Sequence, residues 1–154
     1  IYDDYKKITF NLKQDIKWAD DKPFTCEDVL FTWKKVTDPD TRTPYGSDYQ
    51  LVSSASCANN HIFIAEYDEP YAPALETWAS LHILPEHLLK NENINDTYFS
   101  LNPTGTNFYA LDGWTTGQQV KLKTNPNSVH GRPLLEKKIT RIIPDLIPEA
   151  SWAQ

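Results

Sequence analysis

Residues 8–33 read ITFNLKQDIKWADDKPFTCEDVLFTW and contain a complete strand, turn and helix. Ile8, Phe10 and Leu12 alternate with Thr9 and Asn11, the period-two pattern of a half-buried strand. A polar turn over residues 14–22 follows, interrupted by Ile16 and Trp18. Thr25 is a suitable helix N-cap, and Asp28 three positions later makes an acidic variant of the capping box. Glu27 and Asp28 also suit the positive end of a helix dipole. The spacing predicts a helix over residues 26–36, with Val29, Leu30, Trp33 and Val36 on its buried stripe. Asp38-Pro39-Asp40 stops it.

Beyond this unit, residues 41–50 form a loop with Pro44, Tyr45, Gly46 and Tyr49. Two strands are expected at residues 51–57 and 61–67, turning at Asn59-Asn60, since Asn tolerates left-handed backbone. Tyr71-Ala72-Pro73 opens a second helix to residue 81, and Pro85 begins a short third one. A second hairpin is expected at residues 108–114 and 118–124, around Thr115-Thr116-Gly117. A last strand spans residues 138–143, and Pro148 starts a final helix. This order is α+β, because helices and strands do not alternate as βαβ units do.

The 154 residues suffice for one domain with a core, and no composition shift marks a linker. Five Trp, eight Tyr and six Phe supply much apolar surface, most of it expected in the core. A net charge of −6 argues against nucleic acid, which rewards Lys and Arg. No apolar run reaches the roughly 18–20 residues that span a bilayer. Ile1 is not a natural start, so the chain reads as a piece of a longer one. Cys26 and Cys57 are expected as two buried free thiols, a bridge requiring a geometry that sequence does not give.

Reactive constellations are missing from the sequence. The five glycines make no phosphate loop, and no cysteine pair has zinc spacing. His82 and His87 are five apart with Pro85 between them, so they share no helical face. Ser53, Ser54 and Ser56 lie in a strand rather than a nucleophile elbow. Paired acids such as Asp20-Asp21 and Asp68-Glu69 sit in turns, where solvation explains them. The expectation is a non-enzyme with no cofactor and no metal.

The order of motifs carries more. Residues 12–29, LKQDIKWADDKPFTCEDV, resemble the signature of bacterial solute-binding proteins of the oligopeptide, dipeptide and nickel type, which serve ABC importers. Asp21 stands where that signature has Gly, and Cys26 where it has a small residue. Asp accepts positive φ less readily than Gly, which puts the turn in question. Further matches follow in order. Thr43-Pro44-Tyr45 resembles an S-P-Y loop, and Glu69-Pro70-Tyr71-Ala72-Pro73 the start of a helix. Ile83-Leu84-Pro85-Glu86-His87-Leu88 resembles I-L-P-K-H-L. Asn102-Pro103-Thr104-Gly105-Thr106-Asn107 resembles N-P-V-G-T-G, and Asn125-Pro126 a later loop.

The resemblance implies a two-lobed clamp, of which residues 1–154 are a single truncated domain. It would be the small inserted domain of the first lobe with adjoining strands, the second lobe being absent. It implies capture of a solute, by default a peptide, and delivery to an ABC permease. It also implies a monomeric, extracytoplasmic protein, periplasmic or cell-surface lipoprotein, with no nucleic-acid partner. Tyr45 and Tyr49 are the candidate ligand contacts, with Gly105, Thr106 and Asn107 as a second group. Trp18 and Trp33 are assigned to the core. The competing reading is a stand-alone protein- or carbohydrate-binding module that uses exposed aromatics.

Overall fold

The computed structural model describes residues 5–143, which form two compact units. The first holds residues 5–16 and 23–97, the second residues 17–22 and 98–143. The helix expected at Pro148 lies outside the described residues. Among the described residues, no helix is long and apolar enough to cross a membrane.

The first unit is built on an antiparallel sheet ordered β1-β3-β2, from β1 (Lys7–Asn11), β2 (Val52–Asn59) and β3 (Ile62–Tyr67). Phe63, Ala65 and Tyr67 are buried, while Ile62, Ile64 and Glu66 between them are only half-buried. Helix α1 (Cys26–Thr37) covers this sheet. It starts one position after Thr25 as expected, and the Thr25 N–H donates to the Asp28 carboxylate at 2.9 Å. The stripe differs from the expected one. Cys26, Asp28, Val29 and Thr32 are buried, whereas Leu30, Trp33 and Val36 are half-buried. Asp28 and Thr32 are taken inside because they bind backbone, as shown below.

Short helices α2 (Gly46–Tyr49), α3 (Ala74–Ser80) and α4 (Glu86–Leu89) complete this unit. Helix α2 falls in the segment read as loop. The core is aromatic. Trp78 of α3 lies 4.9 Å from Phe63, 5.6 Å from Tyr49 and 5.9 Å from Phe10, ring centre to ring centre. Such tilted and edge contacts add to area burial. The Trp78 indole N–H donates to the Tyr67 hydroxyl at 2.9 Å.

The two cysteines correct an expectation. Cys26 and Cys57 are joined in a disulfide, with no free thiol among the described residues. The cause is the docking of the helix start onto the hairpin. The Cys26 N–H donates to the Asn60 carbonyl at 2.8 Å, just beyond β2. This brings the two Cα atoms to 5.9 Å, within disulfide reach.

The second unit is a sheet ordered β4-β5-β6, from β4 (Tyr109–Thr115), β5 (Gln119–Thr124) and β6 (Lys137–Arg141), antiparallel throughout. Gly117 takes φ +73° in the β4–β5 turn, as its position demands. A bulge interrupts β4 between Leu111 and Gly113. Trp18 is buried in this unit, as expected. Asp21 adopts φ +68°, so it takes the left-handed turn that the resembling glycine would take. Asn127 steadies it, donating to the Trp18 carbonyl at 2.9 Å and to the Asp21 carboxylate at 3.0 Å.

Candidate functional site

A groove in the first unit encloses about 580 Å³. Thr32, Lys35 and Val36 of α1 form one wall, and residues 41–45 another. Residues 80–84 and the Ile94-Asn95 turn close it. Its lining mixes apolar side chains with hydroxyls and the cations Lys35 and Arg42, a composition suited to a ligand with both apolar and charged parts.

Each wall is fixed by side chains that bind backbone. Thr32 donates its hydroxyl to the Asp28 carbonyl at 2.7 Å and accepts the Leu84 N–H at 2.8 Å. Asp28 accepts the Glu86 N–H at 2.9 Å through its other oxygen. One turn of α1 therefore holds residues 84–86. On the facing side, Asn95 accepts the Arg42 N–H at 2.8 Å and donates to the Asp40 carbonyl at 2.7 Å. Asn93 shapes that turn by accepting the Asn95 N–H at 3.1 Å. Gly46 follows Tyr45 and sits against α1. A Cβ at Gly46 would come within 3.0 Å of the Val36 carbonyl oxygen, so the close approach favours glycine.

Tyr45 and Tyr49 both line this groove, in contrasting ways. Tyr45 is 70% exposed, with its ring available. Tyr49 is 4% exposed, and its hydroxyl donates to the Thr77 carbonyl at 2.8 Å. Its own carbonyl accepts the Trp33 indole N–H at 3.3 Å. Burial pushes the Tyr49 phenol above its ordinary pKa. Tyr49 thus anchors the loop that carries Tyr45.

Gly105, Thr106 and Asn107 lie in the second unit. Their carbonyls are engaged locally. Gly105 accepts from Ala19 at 3.0 Å, Thr106 from Val129 at 3.0 Å, and Asn107 from the buried Asn125 side chain at 2.9 Å. The space beside Gly105 is open, since a Cβ there would meet nothing within 4 Å. Sequence reasoning missed Asn95, Thr32 and Asn125. All three act through backbone partners distant in sequence, which the motifs around Thr32 and Asn125 did not reveal.

The family described as bacterial extracellular solute-binding proteins, family 5 Middle, matches residues 1–150. Oligopeptide-binding protein AppA of Bacillus subtilis is 30% identical over 142 residues, covering 87% of this chain and 26% of AppA. NikZ from Campylobacter jejuni, solved in complex with Ni(L-His), has a TM-score of 0.90 at 26% identity, over 98% of this chain and 30% of NikZ. AppA from Clostridium difficile has a TM-score of 0.86 at 28% identity, over 97% of this chain and 31% of that protein. The chain spans about a quarter of the length of the curated relatives it matches. The α+β expectation and the family resemblance read outward from residues 8–33 are both borne out. With nearly all of its length matched, the chain belongs to the family 5 bacterial extracellular solute-binding proteins.

Proposed function

We propose that this chain is part of a substrate-binding protein that captures a peptide and delivers it to an ABC transporter permease. The observation that carries this reading is Tyr45, an exposed aromatic held at a groove of about 580 Å³ by buried anchors. Its ring offers a stacking face and its hydroxyl a hydrogen bond. Tyr49 positions it; Gly105, Thr106 and Asn107, in the second unit, are proposed as a separate candidate contact. The related Bacillus subtilis AppA was solved in complex with a nonapeptide, at a TM-score of 0.82 and 26% identity. NikZ holds Ni(L-His) instead, so the same scaffold accepts other solutes.

The protein acts in this reading as a monomer outside the cytoplasm, periplasmic or as a surface lipoprotein, without nucleic acid. The Cys26–Cys57 bridge supports that compartment, because disulfides persist where thiols are not kept reduced. The test is calorimetry of the full-length protein with peptide libraries. Tyr45→Ala should weaken peptide binding by about tenfold or more, the loss expected for an aromatic contact of 1–2 kcal/mol. Tyr45→Phe should keep most of it. An unchanged affinity in Tyr45→Ala removes Tyr45 from the site, and a full-length protein blind to every peptide removes the substrate class.

A further inference from the structure

The groove beside Tyr45 is lined by Lys35, Arg42 and His82 and by no Asp or Glu. Composition does not explain this, since the chain holds 21 acidic against 15 basic residues. Asp38 and Asp40 are close in sequence but stay out of the walls; Asp38 accepts the Asp40 N–H at 2.9 Å. Among the described residues, none of the three basic side chains has an ion pair with a carboxylate.

Both permanent cations are restrained. The Lys35 ammonium lies 5.7 Å from the centre of the Phe31 ring, a contact that orders it without neutralising its charge. The Arg42 backbone is gripped by Asn95 through a bond of 2.8 Å. Its guanidinium is a planar fork that matches the two oxygens of a carboxylate, whereas Lys35 acts as a point charge. Val36, Leu84 and Ile94 are half-buried in the same walls. Apolar walls with cations suit a group that has an aliphatic stem and an anionic end. A peptide ammonium or a basic side chain would meet like charge there and no acceptor carboxylate.

We propose that Arg42 and Lys35 hold a carboxylate of the captured peptide, supplied by an acidic side chain or by the C-terminus. This rests on the reading of the groove as the peptide site and adds to it a preference in charge. Arg42 makes the bidentate contact, Lys35 strengthens the local potential, and Tyr45 stacks on the neighbouring part of the ligand. The groove then selects among peptides by charge as well as by shape.

The test is calorimetry of the full-length protein with alanine-based pentapeptides. One set carries Glu at each position in turn, a second carries Gln instead, and a third is amidated at the C-terminus. Replacing Glu by Gln at one position should weaken binding about tenfold or more if a side chain supplies the carboxylate. Amidation should do so if the C-terminus supplies it. Arg42→Gln keeps the backbone N–H that Asn95 accepts, and should abolish whichever discrimination the parent shows. The control Lys22→Gln removes the same charge outside the groove and should leave the discrimination intact. Peptide binding that ignores both Glu-to-Gln replacement and amidation overturns this inference alone. So does an Arg42→Gln protein that keeps the discrimination, or a control that loses it equally. A lowered urea midpoint in Arg42→Gln with unchanged discrimination assigns Arg42 to a carboxylate of the longer chain, and also overturns it. A full-length protein that binds no peptide overturns the underlying reading, and this inference with it.

Discussion

Asn95 holds Arg42 from 53 positions away, accepting its backbone N–H at 2.8 Å while donating to the Asp40 carbonyl at 2.7 Å. One side-chain amide thus grips the backbone on both sides of Thr41. Asn95→Ala removes both bonds at an exposed site, costing about 1–2 kcal/mol in unfolding free energy. The loss should be local. Hydrogen exchange should accelerate at Arg42 and through residues 43–46 while β3 keeps its protection. Uniform acceleration over the unit would show that Asn95 is not a loop clamp.

Asp28 should be the more sensitive position. Its two oxygens accept from Thr25 and Glu86, and the side chain is buried. Asp28→Ala leaves both N–H groups without that acceptor, a loss of about 2–4 kcal/mol. Asp28→Asn retains one acceptor oxygen and should fall between the two in urea titrations. A variant as stable as the parent would refute the dual role.

The disulfide should dominate the response to reductant. It closes a loop of sequence separation 31, for which chain entropy gives about 3–4 kcal/mol. Thiol titration of the denatured, unreduced chain should find none, and Cys57→Ser should lower the urea midpoint by that amount divided by the slope. Two titratable thiols in material oxidised in air would contradict the pairing.

Alkaline pH should weaken the first unit. Burial raises the pKa of Tyr67 and of Tyr49 above the ordinary value of 10.0. Unfolding restores that ordinary value, so the protonated form is favoured by folding. The contribution is complete below pH 10 and is lost as pH rises through the folded-state values. Unfolding free energy should therefore decline above pH 10. Tyr67→Phe should reduce this decline, and at pH 7 should cost about 1–3 kcal/mol because the Trp78 N–H loses its acceptor. An identical alkaline slope in parent and variant would assign the decline to other groups.

The 154-residue chain alone should bind peptide far more weakly than the full-length protein. In the clamp that the family resemblance implies, closure of two lobes around a solute is a population shift that would need both lobes. Micromolar peptide binding by the isolated chain in calorimetry would show that one groove suffices.

Elements set by neighbouring residues were legible in the sequence. The alternation before Leu12 and the Thr25-to-Asp28 box are local patterns, and β1 and α1 formed where they placed them. What escaped depends on tertiary register. Asp28 reads as a cap in sequence, yet its second oxygen serves Glu86, 58 positions on. The cysteine pairing needed the end of β2 to meet the start of α1. Helix α2 begins at Gly46, which packs close to the Val36 carbonyl, a contact that no local pattern contains. The division into two units was hidden because the chain crosses between them after Ile16, Lys22 and Thr97 without a linker-like composition. At the candidate site, Tyr45 and Tyr49 look equivalent on paper. Only packing separates the buried anchor from the exposed ring.

The bridge between Cys26 and Cys57 has a further consequence for Tyr45. The whole loop that presents this ring lies within the covalent circle that the bridge closes. A protease cutting at exposed Arg42 would open the backbone beside Tyr45 without releasing either piece. The nicked protein would migrate as one species until a reductant was added, and would then separate into two. Damage at the exposed Arg42 side of the groove is thereby kept from dispersing the protein.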